Sequence, residues 1–205
     1  MNGLIAGIGW LLVTYLIGSI PFGLIVAKGC KGIDPRLWGS RNTGATNVAR
    51  TCGTGLGLLT FGLDMAKGFL PMLLAMGWST SAAFLTVTGL AALLGHMYSV
   101  FLNRTGGKGV ATTIGIFLAV APTPLFWSVI LCLVMIAVTK FVSIGSLTMV
   151  ATLPIFILIF GQFSYLILSL IVMALVFSKH KDNILRLIRG DEIPWKKSSL
   201  EAQTD

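Results

Sequence analysis

Charged residues are scarce in this chain of 205 amino acids, where they make up 11% of the sequence against 55% for apolar residues. Acidic residues are fewer than basic ones, with seven Asp and Glu against 15 Lys and Arg. Apolar runs of about 18 or more residues, long enough to cross ~30 Å of hydrocarbon, recur along most of the length. The composition therefore predicts an all-α, polytopic membrane protein, with residues 1–205 forming a single transmembrane domain.

Cysteine is also sparse. Cys30, Cys52 and Cys132 are odd in number and lack a Cys-x-x-Cys spacing, which argues against a disulfide or zinc framework and predicts free thiols.

The N-terminal segment has neither a basic start nor an Ala-x-Ala-like site. We therefore expect its apolar stretch to be a membrane helix rather than a cleavable signal peptide.

About seven transmembrane helices are expected, with polar loops between several of them. The fourth is short, and Pro122 and Pro124 separate it from the fifth. The predicted helices span residues 4–26, 54–77, 81–102, 109–121, 123–139, 144–160 and 163–178.

All but one of the 15 lysines and arginines fall in loops on one side of this arrangement, the exception being Lys67. Because basic loops face the cytoplasm, the N-terminus is predicted to lie outside and the C-terminus in the cytoplasm. Such residues commonly do no more than orient a chain or attract anionic lipid, so function needs further evidence. The four basic groups are Lys28, Lys31, Arg36, Arg41 and Arg50; Arg104 and Lys108; Lys140; and Lys179, Lys181, Arg186, Arg189, Lys196 and Lys197.

A glycine-rich turn holding a lysine separates the third and fourth helices, with the sequence Asn-Arg-Thr-Gly-Gly-Lys-Gly-Val-Ala-Thr at 103–112. Glycines let backbone N–H groups approach an anion, Lys108 adds a charge, and the following helix adds a partial one. We predict a phosphate site, against the alternative of a tight turn with one orienting lysine. A Walker A loop would need glycine at 102 and Ser or Thr at 109, where this chain has Leu102 and Gly109, so nucleotide hydrolysis gets no support.

A second polar segment, residues 39–50, is rich in hydroxyl and amide side chains and has no carboxylate. These groups suit a polyol or a phosphate, whereas a divalent metal would need carboxylate oxygens. The alternative is a turn and N-cap before the second helix. The polar side chains are those of Ser40, Asn42, Thr43, Thr46 and Asn47.

A third polar segment follows the last predicted helix, at 178–187. His180 and Asn183 are three residues apart and so share a helical face. Ile184, Leu187 and Ile188 continue an apolar stripe, so an amphipathic interfacial helix is the alternative to a functional role.

Two ionisable residues, Asp64 and Lys67, lie inside the second helix, where each costs roughly 2.5–3.5 kcal/mol at mid-membrane. Their spacing allows them to pair and to face the bundle interior. The pair is either purely structural or a source of positive charge for the phosphate site. His96, at the end of the third helix, is expected to be a packed histidine rather than a catalyst.

Together these segments resemble the bacterial acyl-phosphate-dependent glycerol-3-phosphate acyltransferase family over nearly the whole chain. Arg41 is one departure, since the family pattern often has glycine there. The matching segments are 18–23, 39–47, 63–68, 106–112, and His180 with Asn183.

The resemblance implies transfer of a fatty acyl group from acyl phosphate to the 1-hydroxyl of glycerol 3-phosphate. The products would be lysophosphatidic acid and phosphate, in the first step of phospholipid synthesis, at the cytoplasmic face of the bacterial inner membrane. The chain lacks the His-x-x-x-x-Asp motif of acyl-CoA-type glycerol-phosphate acyltransferases. The partners expected are these two substrates and the bilayer, with no cofactor, metal or nucleic acid, and the protein is expected to be a monomer.

Direct attack by the glycerol hydroxyl is the mechanism we expect, because no Gly-x-Ser-x-Gly elbow or Cys–His neighbour pair is present. His180, Asn183 and Lys108 are the predicted catalytic residues, although a substrate phosphate could replace His180 as the base. The predicted substrate-binding residues are Ser40, Asn42, Thr46, Asn47, Arg50, Lys67, Gly107, Gly109, Thr112 and Arg186. The competing class is a transporter of an organic phosphate, which usually shows internal repeats that are not visible here.

Overall fold

The computed structural model describes residues 2–195, which contain ten α-helices and two short 3-10 turns. The helices are α1 (Asn2–Ser19), α2 (Phe22–Lys31), α3 (Ala45–Cys52), α4 (Thr54–Trp78), α5 (Ala82–Met97), α6 (Val110–Val120), α7 (Pro122–Thr139), α8 (Val142–Ile159), α9 (Leu166–Lys179) and α10 (Lys181–Arg189). Lys196 and Lys197, part of the last basic group, lie outside the described residues.

The all-helical, multi-span architecture predicted from the sequence is confirmed. By length and composition, five segments can cross a membrane: Gly3–Lys31, α4, Ala82–Leu102, α7 and α8. A sixth arises if α9 and α10, which meet at a bend of 57°, form one span. The remaining predicted helix is α6, whose 11 residues cover about 16 Å at 1.5 Å per residue, roughly half of the hydrocarbon thickness.

The predicted first helix at 4–26 is wrong in one respect, because it is two helices rather than one. α1 ends at Ser19 and α2 begins at Phe22. Pro21 has no N–H to continue the helical hydrogen-bond pattern, so the chain breaks there. At the break, the carbonyl of Ile20 accepts hydrogen bonds from the N–H of Phe22 at 3.1 Å and from the Lys67 ammonium at 2.8 Å.

The polar segment at 39–50 also contains a helix that the sequence prediction did not include. α3 packs closely on α4, where a Cβ on Gly57 would lie 2.4 Å from the Cβ of Ala49. Gly57 therefore permits close packing of the two helices. Gly53 has a different role: its φ of +101° makes the turn between α3 and α4.

Glycines also bring the longer helices together. A Cβ on Gly115 of α6 would lie 2.0 Å from the carbonyl oxygen of Met65 in α4, and one on Gly18 of α1 would lie 2.3 Å from that of Ala92 in α5. Such contacts hold the short helix α6 against the long helix α4, as small residues commonly do in membrane bundles. The fully buried core includes Met72, Leu85, Leu93, Ile116, Phe117, Met149, Leu153 and Leu168.

Candidate active site

A cavity of about 260 Å³ lies where the polar segments meet. The chain segment after α10 closes this end of the bundle: Arg50 Nη2 donates to the carbonyl of Ile193 at 2.9 Å, and the N–H of Trp195 donates to the carbonyl of Lys140 at 3.0 Å. The polar residues around the cavity include Ser40, Asn42, Thr46, Asn47, Arg50, Asp64, His96, Lys108, Ser143, Ser146, His180, Asn183 and Glu192.

The same cavity has a wall of apolar side chains on α6, α7 and α8. Leu133 on this wall is 60% exposed, which on a membrane-spanning helix means that it faces lipid. A cavity with a cationic end and an apolar wall suits an amphiphile with an anionic head and a hydrocarbon chain. The apolar residues are Ile114, Val129, Cys132, Leu133, Ile136, Val142 and Met149.

Lys108 and Asn183 are directly hydrogen-bonded, although 75 residues separate them in the chain. The amide of Asn183 in turn donates to Glu192 Oε1 at 2.7 Å. Glu192 also accepts hydrogen bonds from Ser143 Oγ at 2.9 Å and from Arg186 Nε at 2.9 Å. The network holds the Lys108 ammonium through one of its three N–H groups. The other two are available to a bound anion.

The charge of Lys108 depends on its surroundings. Burial lowers the pKa of its ammonium to about 8, while the carboxylate of Glu192 raises it and the nearby Arg186 and Arg50 lower it further. Lys108 is therefore mostly protonated at pH 7, with a titration close to the physiological range.

His180 lies just after the end of α9, and its ring Nδ1 is 2.8 Å from the carbonyl oxygen of Val176. A carbonyl can only accept, so Nδ1 carries the proton in the neutral ring and Nε2 is left as an acceptor. Burial, followed by the charge of Lys108, lowers the pKa of His180 to about 4. The imidazole is therefore neutral at pH 7 and is a weak base.

The polar segment at 39–50 is organised around the side chain of Asn47, which is buried. Its Oδ1 accepts from the N–H of Ser40 at 2.8 Å. The two N–H groups on its Nδ2 are shared among three carbonyl oxygens, those of Pro35 at 2.7 Å, Trp38 at 3.0 Å and Asn42 at 2.9 Å. The carboxamide of Asn47 is thus engaged in shaping the loop that borders the cavity.

Four of the predicted site residues do not line this cavity: Lys67, Gly107, Thr112 and Arg186. Lys67 forms the expected buried pair with Asp64 at 2.8 Å, so that pairing is confirmed. Thr112 Oγ1 donates to the carbonyl of Asp64 at 3.1 Å. Arg186 contacts the site through Glu192 rather than directly.

Gly106 and Gly107 pack against the end of α5, and the N–H of Gly107 donates to the carbonyl of His96 at 3.2 Å. A Cβ on Gly106 would lie 2.0 Å from the carbonyl oxygen of His96, and one on Gly107 would lie 2.2 Å from His96 Nε2. Gly109 has a φ of +87° and forms the N-terminal boundary of α6. Three glycines flank Lys108 mainly because the turn is tightly packed, which the sequence alone did not indicate.

Glu192 and Ser143 are the site residues that the sequence prediction missed. One signal was available for Glu192, since it is one of only seven acidic residues and closely follows a basic helix. Nothing in the sequence around Ser143 marks it, because its role depends on contact with a residue 49 positions away. Within residues 2–195, no group of three His, Cys, Asp or Glu side chains could hold a metal ion.

Comparisons with known proteins agree with one another. A protein-family model described as glycerol-3-phosphate acyltransferase matches residues 8–190. A protein of Solidesulfovibrio magneticus with the same description is 52% identical over 197 residues, covering 96% of this chain and 99% of that protein.

Two crystal structures of PlsY (YgiH), described as an integral membrane glycerol 3-phosphate acyltransferase, are similar to this structure. The glycerol 3-phosphate form has a TM-score of 0.89 and 39% sequence identity, covering 98% of this chain and 100% of that one. The lysophosphatidic acid form has a TM-score of 0.87 and 38% identity, with the same coverage.

Proposed function

The chain belongs to the glycerol-3-phosphate acyltransferase family, and we propose that it transfers a fatty acyl group from acyl phosphate to the 1-hydroxyl of glycerol 3-phosphate. The products are 1-acyl-glycerol 3-phosphate, which is lysophosphatidic acid, and inorganic phosphate. This is the first step of phospholipid synthesis. The observation that carries the proposal is the cavity whose cationic end holds Arg50 and Lys108 and whose wall is apolar.

Both substrates carry a phosphate, and the cavity offers cationic and neutral donors for two anionic groups. We assign one phosphate to Lys108, with Arg50 and the turn at Gly109 nearby. The side chains of Ser40, Asn42 and Thr46, which border the cavity, hold the other. The acyl chain lies along the apolar wall formed by α6, α7 and α8. This position is favourable because it removes the chain's apolar surface from water.

The chemical step needs no covalent intermediate on the protein, because acyl phosphate is already activated. The glycerol oxygen attacks the acyl carbonyl carbon, and a new C–O bond forms. The resulting oxyanion collapses and breaks the bond to the phosphate oxygen, which leaves with the electron pair. Positioning of the two substrates and stabilisation of the developing charge by Lys108 supply most of the rate.

The hydroxyl proton has two acceptors available: His180 Nε2 and an oxygen of a substrate phosphate. A phosphate monoester has a second pKa of about 6, above the value of about 4 for His180. In the free protein His180 is thus the weaker base, and we assign the proton to the phosphate oxygen. His180 then serves as a hydrogen-bond partner that orients the reacting groups, together with Asn183.

We place the protein in the bacterial inner membrane with the active site on the cytoplasmic face. The positive-inside distribution of lysines and arginines supports this orientation. Glycerol 3-phosphate is a water-soluble dianion, which fits delivery to the polar end of the cavity from the cytoplasm. The protein is taken as a single domain that works as a monomer, because the proposed reaction requires no residue beyond those named above.

The test is phosphate release by the purified protein in detergent with palmitoyl phosphate and glycerol 3-phosphate. Release that depends on glycerol 3-phosphate, with lysophosphatidic acid as the lipid product, is the expected result. Parallel reactions with acyl-CoA and with an acyl carrier protein thioester examine the donor. Absence of release with acyl phosphate, or faster acylation from a thioester, would contradict the proposal.

A further inference from the structure

The ring of His96 lies directly beneath the turn that carries Lys108. The N–H of Gly107 donates to the carbonyl of His96 at 3.2 Å. A Cβ on Gly107 would approach His96 Nε2 to 2.2 Å and Cε1 to 2.8 Å, with no other residue among the three nearest atoms. The imidazole edge therefore sets how far Gly107, and with it the backbone of Lys108, can approach α5.

The other nitrogen of the same ring faces a buried ion pair. His96 Nδ1 lies 3.6 Å from Asp64 Oδ1, and Asp64 is paired with Lys67 at 2.8 Å. Lys67 is held in turn by the carbonyl of Ile20, at the break between α1 and α2. These side chains are at most 7% exposed. The ring thus has the Asp64 carboxylate near Nδ1 and the glycine turn against Nε2.

The backbone of Gly107 does not itself require glycine, since its φ lies outside the left-handed region. The requirement comes from the His96 ring. Gly106 differs, because a Cβ there would meet the backbone carbonyl of His96 at 2.0 Å, which no side-chain change can remove. The two neighbouring glycines therefore give a matched pair for experiment.

We propose that His96, confined by Asp64, is a positioning residue that sets the place of Lys108 in the phosphate site. The inference rests on the proposed function, in which Lys108 binds a substrate phosphate. It also gives the buried pair of Asp64 and Lys67 a purpose beyond mutual neutralisation, because the pair supports the ring on which the turn rests. A displacement of about 1 Å in such a group can cost on the order of 10²-fold in rate.

The experiment uses second-site suppression in the full-length protein, with kcat and both KM values measured by phosphate release. Gly107→Ala should lower kcat/KM on the order of 10²-fold, because the added methyl displaces the turn. In His96→Asn the side-chain amide takes the place of Nδ1, and the ring atoms nearest Gly107, Nε2 and Cε1, are absent. The double variant His96→Asn with Gly107→Ala should therefore be at least tenfold more active than Gly107→Ala alone.

Two controls separate this effect from general loosening of the bundle. His96→Gln extends to the position of Nε2 and should not rescue Gly107→Ala. Gly106→Ala should not be rescued by His96→Asn, because its clash is with backbone. Alone, His96→Asn should raise the KM of one substrate more than it lowers kcat, whereas a merely structural defect would reduce the active fraction and leave KM unchanged.

Monodispersity and thermal melting of each variant are measured in parallel. If His96→Asn does not fold, His96→Ser replaces it, since serine also vacates the space beneath Gly107. An active wild-type protein in which neither replacement improves Gly107→Ala would overturn the inference and leave the proposed function standing. An inactive wild-type protein would instead reject the proposed function.

Discussion

The side chain of Lys108 donates a hydrogen bond to the side-chain oxygen of Asn183, and this contact joins the glycine turn before α6 to the helix α10 near the end of the chain. Asn183 is itself fixed by Glu192. The ammonium is therefore held in place before a substrate arrives, which is the condition for stabilising a charge without reorganisation.

Lys108→Ala should lower the rate of phosphate release on the order of 10²–10³-fold, because one preorganised cation at the developing charge is lost. Steady-state kinetics with both substrates near saturation measure the effect. Lys31→Ala, which removes an exposed lysine at the end of α2, is the matched control and should retain full activity. Equal rates for the two variants would exclude Lys108 from the site.

The pH dependence of kcat/KM should show a falling limb near pH 8. The pKa of Lys108 is lowered to about 8 in the free protein, so the ammonium loses its proton, and its attraction for phosphate, as the pH rises through that value. kcat/KM reports the free enzyme and is the quantity to measure. In Lys108→Arg the limb should move upward by more than one pH unit, since guanidinium stays charged. An unmoved limb would assign it to another group.

His180→Ala should reduce kcat/KM on the order of 10²-fold, with most of the loss in KM and only a small part in kcat. In the proposed mechanism a substrate phosphate accepts the proton, and His180 only orients the reacting groups. Full saturation curves for each substrate test this division. A 10²–10⁴-fold fall in kcat at unchanged KM would instead make His180 the general base.

Asn47→Ala should destabilise the protein by about 1–3 kcal/mol, because it leaves several buried backbone groups without partners. Its carboxamide is within hydrogen-bond distance of four backbone groups that shape the loop at the cavity. Asn42→Ala is the comparison, since its side chain accepts one such bond, from the N–H of Gly44. Thermal melting in detergent should show a clearly larger decrease for Asn47→Ala, and equal decreases would contradict this account of the loop.

Long apolar runs made most of the fold predictable from the sequence. In hydrocarbon the backbone N–H and C=O groups must pair with each other, and an apolar run does so by forming a helix. The break at Pro21 was harder to predict, since proline is also tolerated within α4 and α8, at Pro71 and Pro154. α3 was missed because its eight residues are too polar to resemble a membrane helix.

The candidate site was predictable where residue types are unusual for a membrane protein. Lys108, His180 and Asn183 stand out in this way, and the structure brings them together. The sequence could not show that Gly107 packs on His96 or that Glu192 closes the network, because both contacts depend on the tertiary arrangement. Asn47 shows the same limit, since a polar side chain at a cavity can serve the loop that carries it.

The continuity of the cationic end with the apolar wall has a consequence for how the reaction must be measured. In the proposed reaction one reactant comes from water and the other from lipid, so the two concentrations belong to different phases. For the acyl donor, the relevant quantity is its mole fraction in the bilayer or micelle that surrounds Leu133, which is 60% exposed on that wall. Added detergent should therefore slow the reaction by surface dilution, even when the amounts of enzyme and donor per volume stay the same.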